Sequence, residues 1–183
     1  MTTPTTPDPN SRRGFMRRVL AVGAGAIAAL APLGAALAVF LDPLGKKAGG
    51  GKFVRVGSLS AVPPDGKPYR FEVIADRWDA WNYYPPAPIG AVYLRRTSDS
   101  APPEAFSTVC PHLGCSVDFR SATGQYLCPC HNSAFEVDGT RVDPAHSPSP
   151  RDLDTLAVEV RDGDEIWIEY KRFKGGVAAK IEE

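Results

Sequence analysis

Two short stretches concentrate the metal-binding chemistry of this sequence. One reads Cys110, Pro111, His112, Leu113, Gly114, Cys115; the other reads Cys128, Pro129, Cys130, His131, Asn132, Ser133. Each offers a cysteine and a histidine at close spacing, Cys-x-His in the first and Cys-x-x-His in the second, with 15 residues between His112 and Cys128. Each also holds one further cysteine, so the two stretches contain all 4 cysteines of the chain. Thiolate and imidazole suit zinc and iron-sulfur centres alike, and ligand type alone leaves both open. A structural zinc finger normally repeats Cys-x-x-Cys or His-x-x-x-His pairs. One cysteine and one histidine per stretch fit a two-iron centre in which one iron takes two thiolates and the other two imidazoles. A purely disulfide framework remains a third alternative, opposed by the interleaved histidines.

Ligands this closely spaced must sit on loops between rigid elements. From Phe53 onward the pattern is short strands: residues 52–58, 69–76 and 90–96 alternate or are rich in β-branched and aromatic side chains. Residues 156–170 predict a hairpin turning at Asp162 and Gly163. No helical periodicity competes, and 18 prolines with 17 glycines favour strands joined by turns. The expected fold class is all-β, antiparallel. Residues 76–90, carrying Trp78, Trp81, Tyr83 and Tyr84, are expected to form a long turn-rich insertion whose aromatics mostly cover the domain's own sheet, with docking of a partner subunit as the alternative. The third histidine, His146, has no cysteine at ligand spacing and is expected to be a loop histidine.

The N-terminus is the second unusual region. Residues 19–41 carry no charge, and 23 helical residues reach roughly 35 Å, enough for a hydrocarbon core of about 30 Å. The expected organisation is a cytoplasmic tail at 1–18, a transmembrane anchor at 19–41, a flexible linker at 42–52 containing Gly49, Gly50 and Gly51, and one β domain at 53–183. Cleavage after a small-residue site at Ala36, Leu37 and Ala38 is the alternative to a retained anchor. Arg12, Arg13, Arg17 and Arg18 precede the apolar run, which leaves the N-terminus inside and the head outside by the positive-inside rule. Ser11 to Met16 resembles a bacterial twin-arginine export signal. The chain has 21 basic and 21 acidic residues, which argues against a general nucleic-acid binder.

Taken with the two Cys-His stretches, the sequence is similar to the Rieske iron-sulfur family of bacterial cytochrome bc-type complexes. The resemblance implies a Rieske-like antiparallel β sandwich with a small cluster-binding subdomain, its loops within about 105–150, preceded by one transmembrane helix. It implies one [2Fe-2S] cluster, with Cys110 and Cys128 on one iron and His112 and His131 on the other. It implies a disulfide between Cys115 and Cys130, which would persist on the oxidising side of a membrane. Leu113 would lie over the cluster, Ser133 would donate to a bridging sulfide, and Ser147, Pro148, Ser149 and Pro150 would form the family's proline-rich loop. Three positions depart from the family pattern. Asn132 stands for the usual glycine and Pro111 for a common threonine, which puts the loop conformation in doubt. Phe135 stands for a tyrosine that donates to a cysteine sulfur, so one of two donors is missing and the reduction potential should lie below that of proteins with both.

The function implied is that of an electron-transfer subunit. Quinol would bind the exposed imidazole of His131, the cluster would take one electron and the imidazole one proton, and the electron would pass to a c-type cytochrome. Partners would be cytochrome b, a c-type cytochrome, quinol and the bacterial cytoplasmic membrane, with the head on the periplasmic side and no nucleic acid. Phe135 also resembles the small Rieske subunit of periplasmic molybdenum oxidases such as arsenite oxidase, a second class of function. A zinc-binding structural protein without redox activity is the third.

Overall fold

The computed structural model describes residues 12–45, 52–79 and 82–183, and these fall in two units, 1–47 and 48–183, described separately. Of the expected tail at 1–18, residues 1–11 lie outside the described residues, as do residues 46–51 of the expected linker at 42–52, Gly49 to Gly51 among them. In the first unit a single helix, α1, runs Arg12–Gly45 and continues through Pro32. It contains the expected span at 19–41 and is long and apolar enough to cross a membrane. Its large apolar side chains, among them Leu20, Ile27, Leu30 and Phe40, are exposed. A span must satisfy its backbone polar groups internally, and the helix does so along its interior except at the Ala28 carbonyl, to which Pro32 has no N–H to donate.

The second unit is antiparallel β, as the strand pattern implies. One sheet joins β1 (Phe53–Ser58), β10 (Glu165–Glu169) and β9 (Val158–Arg161) in the order β1-β10-β9. A second joins β2 (Pro68–Asp79), β3 (Asn82–Arg95), β4 (Glu104–Ser107) and β8 (Thr155–Leu156) in the order β2-β3-β4-β8. The smallest holds β5 (Asp118–Arg120), β6 (Gln125–Leu127) and β7 (Ala134–Phe135). The turn between β9 and β10 places Asp162 and Gly163 at φ 50° and 78°, the left-handed pair a type I′ hairpin requires.

Two cores flank the middle sheet. Val73, Val92, Leu94, Ala105, Leu156, Ile166 and Ile168 pack between the two larger sheets. Tyr93, Phe106, Cys110, Val117, Tyr126, Cys128, Phe135 and Leu153 form the other core, between the middle sheet and the Cys-His loops. Side chains alternate along a strand, so Val92 and Leu94 face the first core while Tyr93 faces the second. Ala105 and Phe106 divide in the same way. Both faces of β3 are therefore covered, and Ala91, Val92, Tyr93 and Leu94 are buried in succession. Full burial of each large apolar side chain contributes about 1.5–3 kcal/mol.

The described residues of the expected insertion, 76–79 and 82–90, form paired strand rather than a turn-rich segment; Trp81 and the side chain of Trp78 lie outside the described residues. Strands β2 and β3 keep pairing toward the tip, with Arg77 opposite Tyr84, Trp78 opposite Tyr83 and Asp79 opposite Asn82. Pro85, Pro86 and Pro88 disguise this strand in the sequence. Strand β4 reaches β3 only as far as Val92, opposite Ser107, so the outer part of β3 is paired on one side and can hold residues without an N–H. Tyr83 and Tyr84 are exposed rather than laid over the sheet. Tyr84 stacks under the Arg77 guanidinium, 4.6 Å from the ring centre.

Candidate metal centre

The first Cys-His loop leaves β4 and enters β5. It is tied to the middle sheet by Thr108, whose hydroxyl donates to the Ala91 carbonyl at 3.0 Å. The Tyr93 hydroxyl donates to the Val117 carbonyl at 3.3 Å and accepts the Phe119 N–H at 3.1 Å. The second loop joins β6 to β7. The two loops repeat one backbone pattern. Cys110 N–H donates to the Cys115 carbonyl at 2.7 Å, and Cys128 N–H to the Ser133 carbonyl at 2.8 Å. Gly114 N–H returns to Cys110 and Asn132 N–H to Cys128, each at 3.0 Å. Both turns need a left-handed residue, Gly114 at φ 82° and Asn132 at φ 60°. Asparagine is among the few side chains that tolerate this region. The glycine-to-asparagine departure thus preserves the loop.

Each loop brings one cysteine and one histidine to the same place. Cys110 and Cys128 are free thiols, 1% exposed each, and their sulfurs interact directly. The rings of His112 and His131 meet edge to face, their centres 4.7 Å apart. His112 is half-buried and its Nδ1 is buried without a hydrogen-bond partner, whereas His131 is exposed. Burial pushes the Cys110 thiol up to about 11, the His112 N–H opposes this, and the neighbouring Cys128 adds to it. A buried thiol held protonated in this way ionises readily only beside a strong positive charge, which bound metal ions supply. Two inner sulfurs and two outer imidazoles, one unpartnered, therefore fit a two-iron centre. Cys110, Cys128, His112 and His131 are the residues that would hold it.

The remaining cysteines form the disulfide Cys115–Cys130, with Cα atoms 6.6 Å apart. It staples the two loops, and its sulfurs and that of Cys128 lie within 4.8 Å of one another. Ser133 is fully buried and its hydroxyl finds no hydrogen-bond partner in the protein, as expected of a donor aimed at a bound group. Phe135 is fully buried in the second core, opposite Tyr126 across β6 and β7. Leu113 is 64% exposed. An ordinary packed leucine would be buried, so its place at the loop tip suits a cover over the site.

The proline-rich loop stands beside the second loop. Ser147 and Pro148 share a cleft of about 230 Å³ with Asn132, Ala134 and Val142. Ser147, the departure from glycine, accepts the Ser149 N–H at 3.2 Å, and the buried Ser149 hydroxyl donates to the Arg151 carbonyl at 2.7 Å. Pro148 is exposed and Pro150 half-buried. His146 is an exposed loop residue, its Nδ1 2.8 Å from the Asp143 carboxylate, as its spacing implies. Reading for ligands does not single out Asp154, which pairs with Arg151 below the loop. Its signal is an Arg-x-x-Asp spacing that surfaces also use.

Comparison with known proteins decides the family. Residues 52–158, more than half of the chain, match the Rieske [2Fe-2S] domain. The chain belongs to the Rieske family. It carries a Rieske-type [2Fe-2S] cluster, which settles the choice against zinc and against a purely disulfide framework. This Rieske protein is 32% identical over 156 residues to the menaquinol:cytochrome c reductase iron-sulfur subunit of Bacillus subtilis, covering 84% of this chain and 88% of the relative. It is 31% identical over 157 residues to the cytochrome b6-f complex iron-sulfur subunit of Chlorobaculum thiosulfatiphilum, covering 86% and 74%. The cyanobacterial plasma membrane Rieske protein of Synechocystis superposes with a TM-score of 0.42 at 27% identity, covering 64% of this chain and 99% of that one. With helix α1, this chain is a membrane-anchored member.

A hydrogen bond to a cluster sulfur favours the reduced, more negative state. A tyrosine in place of Phe135 adds one such donor, and an alanine in place of Ser133 removes one. At about 1 kcal/mol per bond, a one-electron potential moves by roughly 40 mV. Phe135→Tyr is expected to raise the midpoint potential and Ser133→Ala to lower it, by protein-film voltammetry. No rise for Phe135→Tyr would remove the missing-donor account.

Proposed function

We propose that this chain is the Rieske subunit of a bacterial quinol-oxidising cytochrome bc-type complex, taking an electron from quinol and passing it to a c-type cytochrome. The observation that carries this is the exposed His131 ring, beside the half-buried His112, at a tip formed with the exposed Leu113. When bound, the cluster supplies a one-electron carrier. His131 offers an outward ring nitrogen that accepts a hydrogen bond and then the proton of a quinol hydroxyl. Leu113 presents apolar surface to the quinone ring and keeps water from the same spot. Cys110 and Cys128, buried behind the histidines, hold the inner iron, and the Cys115–Cys130 disulfide fixes the loops.

Cytochrome b and a c-type cytochrome are the proposed partners, because the relatives are named as subunits of cytochrome c reductase and cytochrome b6-f complexes. The similarity to these subunits does not favour the molybdenum-oxidase alternative. We further propose that Ser11 to Met16 directs twin-arginine export, that 42–52 serves as the linker between anchor and head, and that the head faces the periplasm. Carbonate washing of membranes is expected to leave the full-length protein in the pellet. A shortened, soluble product would reverse the anchor assignment.

Electron paramagnetic resonance of the purified protein tests the redox role. Ascorbate alone is expected to develop the Rieske signal, as a centre matched to quinol requires. A signal that needs dithionite would mean a low-potential centre and overturn the quinol assignment.

A further inference from the structure

We infer that the C-terminal hairpin, residues 172–183, positions His112, and that the buried Arg151–Asp154 pair locks the hairpin against the first Cys-His loop. The inference rests on the assignment of His112 as a ligand. The hairpin closes on itself through Lys174 N–H to the Ile181 carbonyl at 2.8 Å and Glu183 N–H to the Arg172 carbonyl at 3.0 Å. Its tip lies on the first loop. Gly176 N–H donates to the Pro111 carbonyl at 2.9 Å. A side-chain carbon added at Gly175 would stand 3.1 Å from the His112 carbonyl oxygen and 3.6 Å from Leu113 Cα. A side chain at Gly175 would make the His112 backbone give way by a few tenths of an ångström, and glycine lets the two backbones approach without that shift. These contacts fall on Pro111, His112 and Leu113, the segment that carries the half-buried ligand.

Arg151 supplies the lock. Its Nε and Nη2 donate to the two carboxylate oxygens of Asp154 at 2.9 and 2.8 Å, a bidentate pair with side chains 9% and 6% exposed. Its Nη1 is left to reach the hairpin, donating to the carbonyls of Lys174 at 3.0 Å and Val177 at 2.6 Å. The Asp154 carbonyl in turn accepts the Ser107 N–H at 2.8 Å, at the end of β4 from which the first loop springs. One guanidinium therefore ties the proline-rich loop and the hairpin to the base of the first loop. A small displacement of the hairpin moves the His112 backbone, and with it the ring orientation that a bound iron would feel.

The test uses the full-length, cluster-loaded protein. Gly175→Ala is expected to shift the midpoint potential and the g-values while leaving iron content, the Cys115–Cys130 disulfide and the unfolding midpoint at parental levels. A chain ending at Arg172 removes the clamp without crowding the loop, and is expected to lose iron to a chelator several-fold faster. Lys180→Ala, which removes the hairpin's bonds to the Thr155 carbonyl and hydroxyl and the cation over the Phe173 ring but leaves Gly175, Gly176 and Arg151 in place, should keep the parental potential and g-values. Parental potentials, g-values and chelator rates in both the Gly175→Ala and the shortened chain would overturn the inference. If His112→Ala retained the parental g-values, the ligand assignment would fall instead.

Discussion

Cys128→Ala is expected to abolish the Rieske signal completely while the β sandwich stays folded. The thiol is one of the four proposed ligands and lies 1% exposed beside the disulfide and Cys110, so its loss would leave the centre one ligand short in a place closed to solvent. Two readouts separate the halves of this expectation. Iron content and electron paramagnetic resonance report the centre, and amide exchange reports the fold. The core between the two larger sheets, built on Val73, Val92, Leu94, Ile166 and Ile168, contains none of the ligands. The second core contains both Cys110 and Cys128. Protection should therefore persist across β2, β3 and β10 and fall across 108–117 and 125–135, since local opening follows the loss of local contacts. Full iron content in this variant would mean that Cys128 is not a ligand.

The second large effect concerns the staple. Cys115 and Cys130 are 15 residues apart, and closing a loop of this length stabilises a fold by about 3 kcal/mol relative to the unlinked chain. The double variant Cys115→Ser, Cys130→Ser is expected to lose about that much in denaturant unfolding of the detergent-solubilised protein, and to release its cluster at lower denaturant. The loops depend on the bond because they are short of apolar cover. Cys115 is half-buried and Cys130 exposed, and β5, β6 and β7 supply only three, three and two residues of strand. An unchanged unfolding midpoint would show that backbone hydrogen bonds within each loop already suffice.

Much of the site was legible because its chemistry is local. Cysteine and histidine spacing within a loop survives in the sequence whatever the rest of the chain does, and the structure brings the paired residues together. The hairpin at Asp162 and Gly163 was equally plain, since only a few residues take its left-handed turn. The outer part of β2 and β3 was hidden by Pro85, Pro86 and Pro88, whose usual meaning as breakers fails on a strand paired along one side. The role of Asn132 could not be read as glycine-like until its φ was seen. Least legible was the C-terminal hairpin. Phe173, Gly175 and Gly176 show no periodicity, and their partners, Pro111, His112 and Arg151, are remote in sequence; such contacts exist only once the sandwich has closed.

The burial of β3 on both faces has a consequence for strand register. In an amphipathic strand, slipping by one residue turns polar side chains inward, and the pattern itself resists the slip. Ala91, Val92, Tyr93 and Leu94 are apolar on both faces, so their pattern offers little such resistance. Alignment is enforced instead by the ends of the run. Gly90 lies under Tyr170, whose ring leaves no room there for any side chain. At the other end Arg95 donates to the Val137 carbonyl at 3.0 Å, and Arg96 to the carbonyls of Leu59 and Val62 at 3.1 and 3.2 Å. A strand shifted by one would bring Ala91 against Tyr170 and pull both guanidinium groups from their acceptors. The frame of the whole head is thus kept by one glycine and two arginines outside either core.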